Sequence, residues 1–206
     1  DYYVQAIKAN GIQKVVVLSS IGAHMRKGAG PVDGLAYLEQ QLETAGTHNR
    51  FLRPSYFYYN FFAQIPMIQA MHIMGANFGD ADAKLVLTHT NDIADAAAEE
   101  LLQPAFTGST VRYIASDERP ATEIAAVLGQ AIGKEQLAWI TFSNEQFKAG
   151  LLQAGLAEMF AEGYTEMGRA IQSGQMQADY WQHRPTPGKV KLEDFAKEFA
   201  AVYQAG

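Results

Sequence analysis

The chain contains no cysteine, which excludes disulfides, thiolate metal sites and a thiol nucleophile. Charge is scarce as well: Asp, Glu, Lys and Arg make up only 18% of the 206 residues, and the formal net charge is -6. No basic cluster reverses that sign, since Arg26-Lys27 is only a pair. Neither nucleic acid nor an anionic membrane is therefore expected as a partner. No apolar run approaches the roughly 18 residues that a spanning helix needs, and no signal-peptide pattern opens the sequence. A cytoplasmic location is the simplest expectation. The histidines (His24, His48, His72, His89 and His183) are scattered without a close helical pair, so no metal site is expected. Ser20 lacks the G-x-S-x-G elbow of a serine hydrolase.

What the chain does have is apolar substance, 48% hydrophobic and 11% aromatic, enough for a sizeable core in one domain with a small appendage. Val15, Val16, Val17 and Leu18 form a β-branched run that reads as a strand buried on both faces of a parallel sheet. Helices flank it, from Asp1 to Asn10 and from Pro31 to Ala45. Further strands are expected over Arg50–Pro54, Lys84–Thr88, Thr110–Ala115 and Leu137–Phe142. Between them, a helix is broken or bent near Pro66, 75–83 is a Gly/Asp-rich connection, and Thr90 or Asn91 caps a helix. Ile124, Val127, Leu128, Ala131 and Ile132 recur with helical spacing. After Ser143 helical patterns dominate, broken by the stiff Arg184-Pro-Thr-Pro-Gly188 segment and closed by a helix with Leu192, Phe195, Ala196, Phe199 and Tyr203 inward. The expected fold class is α/β: a partial Rossmann-type parallel sheet with flanking helices over 1–142, and a small, mostly helical substrate lobe over 143–206.

In an open α/β sheet ligands gather outside the carboxyl ends of the strands. Ser19 and Ser20 close the valine strand and are placed to hydrogen-bond a carbonyl substrate or a nicotinamide ribose. Arg53-Pro-Ser-Tyr-Phe57 closes another strand, so its loop should face the first, with aromatics able to wall an apolar pocket. Phe61 and Phe62 read as plain core. Gly28-Ala-Gly30-Pro-Val-Asp-Gly34 is a poor phosphate loop: polar residues precede it, and Pro31 removes a donor. Asp92, in the first turn of a helix, is accounted for by the helix dipole.

Together Val15-Val-Val-Leu-Ser-Ser-Ile-Gly22, Leu38-Glu-Gln-Gln-Leu-Glu-Thr-Ala-Gly46, Leu52-Arg-Pro-Ser-Tyr-Phe-Tyr-Tyr-Asn60, Asn91-Asp-Ile-Ala-Asp-Ala-Ala-Ala98 and Thr122-Glu-Ile-Ala125 resemble the NmrA-like branch of the atypical short-chain dehydrogenases/reductases. The resemblance implies an NAD(P)-binding Rossmann-type fold, with NADP or NAD as cofactor. It places Ser19, Ser20, Ile21 and Gly22, and with them Pro54, Ser55, Tyr56 and Phe57, near the nicotinamide. It implies an NAD(P)-dependent reductase of a small apolar carbonyl or quinone, with Ser19 or Ser20 orienting the substrate and Tyr37 as a candidate proton donor. The alternative is a non-catalytic dinucleotide-binding redox sensor that acts through protein partners. The glycine-rich strand-turn-helix of such folds is absent, so the valine strand is expected to offer an open edge, paired by missing strands or by a second chain. Leu35 stands about where catalytic relatives carry lysine or histidine, a turn before the glutamate that Glu39 matches. Gln41, four residues after Tyr37, cannot supply the cation that lowers a tyrosine's pKa.

Overall fold

Tyr2–Ala9 form α1, and the valine run, whose branched side chains suit a pleated surface better than a helix, forms β1 (Lys14–Leu18). There follow α2 (Asp33–Glu43), β2 (His48–Pro54), β3 (Tyr56–Phe57), α3 (Ile65–Met71), β4 (Ile73–Ala76), β5 (Lys84–Thr88) and α4 (Thr90–Leu102). The rest is β6 (Ser109–Ile114), β7 (Asp117–Pro120), α5 (Ala121–Ala131), β8 (Ala138–Thr141), α6 (Asn144–Gln153), α7 (Glu158–Gln172), α8 (Ala178–Gln182) and α9 (Leu192–Ala205). This computed structural model describes residues 2–80, 83–102 and 104–205; Asp1, the expected helix start, and positions 81 and 82 of the expected 75–83 connection lie outside them.

Strands β1, β2 and β6 make a parallel sheet in that order, with Leu18 opposite Leu52 and Arg53 opposite Tyr113. Parallel neighbours need a crossover, and α2 supplies it between β1 and β2. A second sheet runs β3-β5-β7, with β7 antiparallel to β5, and β4 pairs β8 in parallel. The fold is thus α/β with a parallel sheet and flanking helices, as the alternation of patterns implied. Among the described residues β1 pairs only with β2, and Leu18 remains 52% exposed. Both faces of the valine strand are covered, Val15 and Val17 by Val4 and Leu42 and Val16 by Ile93 and Ala96, while its outer hydrogen-bonding side is the open edge that was expected.

The largest apolar cluster joins Phe61 and Met74 to Leu87, Ile124 and Leu128, and α9 drives Phe195 and Phe199 into the same interior. Phe61 is core as expected; Phe62 is partly buried and stacks on Phe199 at 5.9 Å. Ser143 caps α6 by accepting from the Gln146 N–H, while the Gln146 side chain accepts from the Ser143 N–H.

Several local expectations are corrected. Part of the expected 75–83 connection is strand, since Gly75 and Ala76 belong to β4. Residues 58–64 wind as a 3-10 helix that gives way to α3 at Ile65, so the helical stretch is broken beside Pro66, as expected. Neither Thr90 nor Asn91 caps α4; the Asn91 N–H donates to His89 Nδ1 at 3.1 Å. The Gly28–Gly34 loop closes on itself, because Asp33 accepts from the N–H groups of Gly28 and Ala29.

Asp92 does more than meet a helix dipole. It accepts from Ser116 Oγ at 2.5 Å and from the Lys189 N–H at 2.9 Å, pinning the 184–190 segment to α4. Gly188 makes that approach possible, since a Cβ there would lie 2.3 Å from Asp92 Oδ2. Gly188→Ala is therefore expected to lower stability by about 1–3 kcal/mol, read as an earlier urea midpoint with an unchanged slope; an unmoved midpoint would show that the strap yields freely.

Candidate functional site

The parallel register brings the ends of β1 and β2 side by side. The Ser19 N–H donates to the Leu52 carbonyl at 2.7 Å and the Ile21 N–H to the Pro54 carbonyl at 2.8 Å, so the pairing continues past the last strand residue into both turns. Beyond β2, the Ser55 N–H donates to Thr88 Oγ1 at 3.0 Å, and Thr88 donates in turn to the Ile114 carbonyl at 2.9 Å. Four strand ends, those of β1, β2, β5 and β6, are thereby fixed to one another.

Behind these turns lies a buried ion pair. Arg53, on β2, grips the carboxylate of Glu39, on α2, in a two-pronged arrangement: Nη2 to Oε2 at 2.6 Å and Nε to Oε1 at 3.0 Å. Glu39 is fully buried and Arg53 nearly so. Ser19 donates its hydroxyl to Glu39 Oε1 at 2.5 Å, while Arg53 Nη1 donates to the Tyr113 hydroxyl at 3.1 Å. Tyr113 donates to Asp179 at the start of α8, which also lies 3.4 Å from the guanidinium. Burial works against the Arg53 charge, but the Glu39 carboxylate more than offsets it, and the guanidinium pKa rises above its ordinary value. Burial pushes the Tyr113 phenol up, and its bond to Asp179 adds to that. His24 borders the same network; burial is the main cause that holds its imidazole below the ordinary value, with Asp179 opposing and Arg53 assisting.

In front of the turns is a cavity of about 230 Å³. Ser20, Ile21, Ser55, Tyr56 and Phe57 form one side, Leu85 and Val86 of β5 another, and Tyr164, Met167 and Ile171 of α7 close it with Met176 and Gln177. None of the residues lining it is Asp, Glu, Lys, Arg or His. Gly22 brings the β1 turn against the far wall: it has φ +90°, and a Cβ there would lie 2.7 Å from Met176 Cγ. Burial pushes the Tyr56 phenol well above its ordinary pKa, so it stays protonated at neutral pH.

The residues singled out in the sequence fall in three places. Ser20, Ile21, Ser55, Tyr56 and Phe57 share the cavity, and Gly22 and Pro54 shape the two turns behind it. Ser19 directs its hydroxyl backward to Glu39. Tyr37 lies on α2, 48% exposed, and is not among the residues lining the cavity. Arg53 and Gln177 went unread as site residues; an arginine inside an apolar strand demands a buried partner, whereas nothing in the pattern around Gln177 marks it. A larger depression of about 690 Å³ beside β6 is lined in part by Asp92, Asp95, Glu99 and Asp179, of which Asp92 already holds the 184–190 segment. No group of acidic, histidine or cysteine side chains able to hold a metal occurs among the described residues.

A parallel sheet whose strand ends frame a cavity is an open α/β architecture, in which ligands gather outside the carboxyl ends of the strands. The chain shares its fold with solved structures of that architecture. It superposes on an NADPH-dependent quinone oxidoreductase from Escherichia coli with a TM-score of 0.78 at 21% identity, covering 95% of this chain and 70% of that one. It superposes on NmrA, a negative transcriptional regulator in complex with NAD, with a TM-score of 0.71 at 13% identity, covering 98% of this chain and 69% of that one. Among curated proteins it is similar to the prestalk A differentiation protein A of Dictyostelium discoideum, 24% identical over 168 residues, which are 80% of this chain and 52% of that protein. The chain thus spans about half the length of that relative. No family model matches it.

Glu39→Gln keeps the shape of the network but leaves Arg53 buried without its main counter-charge. The expected loss is about 3–5 kcal/mol, measured by urea unfolding. A loss near zero would mean that Asp179 alone suffices.

Proposed function

We propose that this chain supplies the substrate cavity and the nicotinamide side of an NAD(P)-dependent reductase acting on a small apolar carbonyl or quinone compound. The observation that carries the reading is the uncharged cavity at the carboxyl ends of β1 and β2, where Ser20 and Ser55 stand beside the Tyr56 and Phe57 rings. The likeness in fold to an NADPH-dependent quinone oxidoreductase supports it.

The residues fit one end of a dinucleotide. A flat, neutral nicotinamide suits apolar walls with hydroxyls at the strand ends. Among the described residues nothing comparable serves a pyrophosphate: Asp33 occupies the N–H groups of Gly28 and Ala29. The β1 edge is where further strands, or a second chain, would continue the sheet. Bound at the two turns, reduced NAD or NADP supplies a hydride. The Ser20 hydroxyl donates to the substrate carbonyl oxygen and fixes its distance from the turn. Tyr56 and Phe57 hold the substrate ring flat, and Met167, Ile171 and Met176 exclude water from it. With a raised pKa, Tyr56 orients substrate and is a poor proton source at neutral pH.

The second reading is a dinucleotide-binding sensor that signals through protein partners. It is favoured by the lack of an acid, imidazole or ammonium group in the cavity lining, and NmrA itself is a regulator found with NAD. Oxidation of NADPH and NADH by the protein, followed across a panel of quinones and aldehydes, separates the two. Acceptor-dependent oxidation supports the reductase; dinucleotide binding without oxidation supports the sensor. Tyr37→Phe locates the proton. A general acid contributes about 10²–10⁴-fold, and because Tyr37 does not line the cavity, unchanged turnover is expected. A loss of that size would make Tyr37 the donor.

A further inference from the structure

Three buried side-chain atoms lack a partner among the described residues, His24 Nδ1, Asn77 Oδ1 and Gln177 Oε1, and each is sealed from solvent, out of a ligand's reach. The way into the cavity is more informative. Of the residues that line it, only Asn60 and Tyr164 are exposed, so the mouth lies beside them. Ile21, Ser55, Leu85 and Val86 are buried and form the floor.

Helix α7 carries one wall from floor to mouth. Tyr164, Met167 and Ile171 recur three and four residues apart and line the cavity, which defines one face of the helix. Phe160, four residues before Tyr164, falls on that same face one turn further out. Exposure rises along the row: Ile171 and Met167 are half-buried, Tyr164 is 41% exposed and Phe160 54%. The α7 residues that pack inward, Ala161, Thr165 and Gly168, are buried on another face. Among the described residues Phe160 belongs to none of the apolar clusters of the interior. The helix is nevertheless fixed here, for Gly30 packs so closely on Gly163 that a Cβ would strike the Gly163 carbonyl.

What covers this ring must be apolar and must continue from the cavity. A volume of about 230 Å³ is below the usual ~300–1,000 Å³ of sites for drug-sized molecules. A ring system therefore fills the cavity, and anything attached to it leaves past Tyr164. The exposed strip beyond is one helical turn long, about 6 Å. That is far smaller than the ~1,000 Å² a stable protein interface buries.

We propose that Phe160 is a tail subsite: the cavity takes compounds whose ring fills it and whose alkyl chain of about four or five carbons passes Tyr164 and lies on Phe160. The substrate class narrows from apolar carbonyls and quinones in general to those bearing a short alkyl chain. The proposal rests on reading the cavity as the substrate pocket.

Calorimetric titration without dinucleotide tests this with uncharged 2-naphthyl ketones carrying methyl, propyl, pentyl and octyl chains. Each methylene up to pentyl is expected to tighten binding about twofold, as for partial burial, with no further gain at octyl. Phe160→Ser is expected to leave the methyl ketone unchanged, which reports an intact cavity, and to flatten the series. A wild-type series without the gain overturns the proposal, as does a Phe160→Ser series that keeps it. A gain that continues undiminished to octyl also overturns it, because it reports unspecific partition. Sedimentation of both proteins adds the rival occupant: self-association lost in Phe160→Ser, with the series unaltered, assigns the face to a second copy and overturns the proposal. The two readings fail differently. Binding of no ketone at all removes the substrate pocket and the subsite with it, whereas a methyl ketone that binds beside a flat wild-type series removes the subsite alone.

Discussion

The fork between Arg53 and Glu39 is the interaction on which the site depends. It joins a strand to the helix that crosses over from the neighbouring strand, and it draws in Ser19 from the end of β1, Tyr113 from β6 and Asp179 from α8. Taking two charges out of water costs several kcal/mol per ion, and the attraction between them compensates only when the geometry is good and the remaining polar atoms are met. Here both carboxylate oxygens of Glu39 are engaged, and Arg53 uses Nε, Nη1 and Nη2. A network so fully satisfied favours one arrangement of its parts. That arrangement aligns the two turns.

With the charges placed behind the turns, the space in front is left neutral. Strand-end hydroxyls, aromatic rings and methionines line it, and in such a low-dielectric setting each remaining hydrogen bond counts for more than it would in water. The packing explains why distant parts of the chain share the cavity: α7 and the Gly174–Gln177 turn can close it because Gly22 lets the β1 turn meet Met176. On another side of the fold, Asp92 holds the 184–190 segment, and α9 follows it into the main core. The same fold serves a quinone oxidoreductase and a transcriptional regulator. Function therefore has to be argued from the cavity rather than from the sheet.

Much of this was legible in the residues. The β-branched run at Val15–Val17, the helical spacing from Ile124 to Ile132 and the turns after Leu18 and Pro54 carry local signals strong enough to place β1, α5 and the two strand ends. What escaped was tertiary. β3, β4 and β7 are only two to four residues long, and Gly75 within β4 reads as a turn until β8 pairs with it. Arg53 gave a warning, since a cation among Phe51, Leu52 and Pro54 must find a counter-charge, yet spacing alone could not name Glu39. Gln177 gave none, for an orphaned carbonyl is visible only once its surroundings are built.

The central claim, that the Glu39–Arg53 fork holds the two turns together, is tested most directly by native-state hydrogen exchange at the Ile21 amide, which bonds the Pro54 carbonyl. Arg53→Lys keeps the charge but not the planar two-pronged grip. The account predicts that the Ile21 and Ser19 amides lose protection in that variant while the amides of α5 keep theirs. Unchanged protection at Ile21, or an equal loss everywhere, would contradict it.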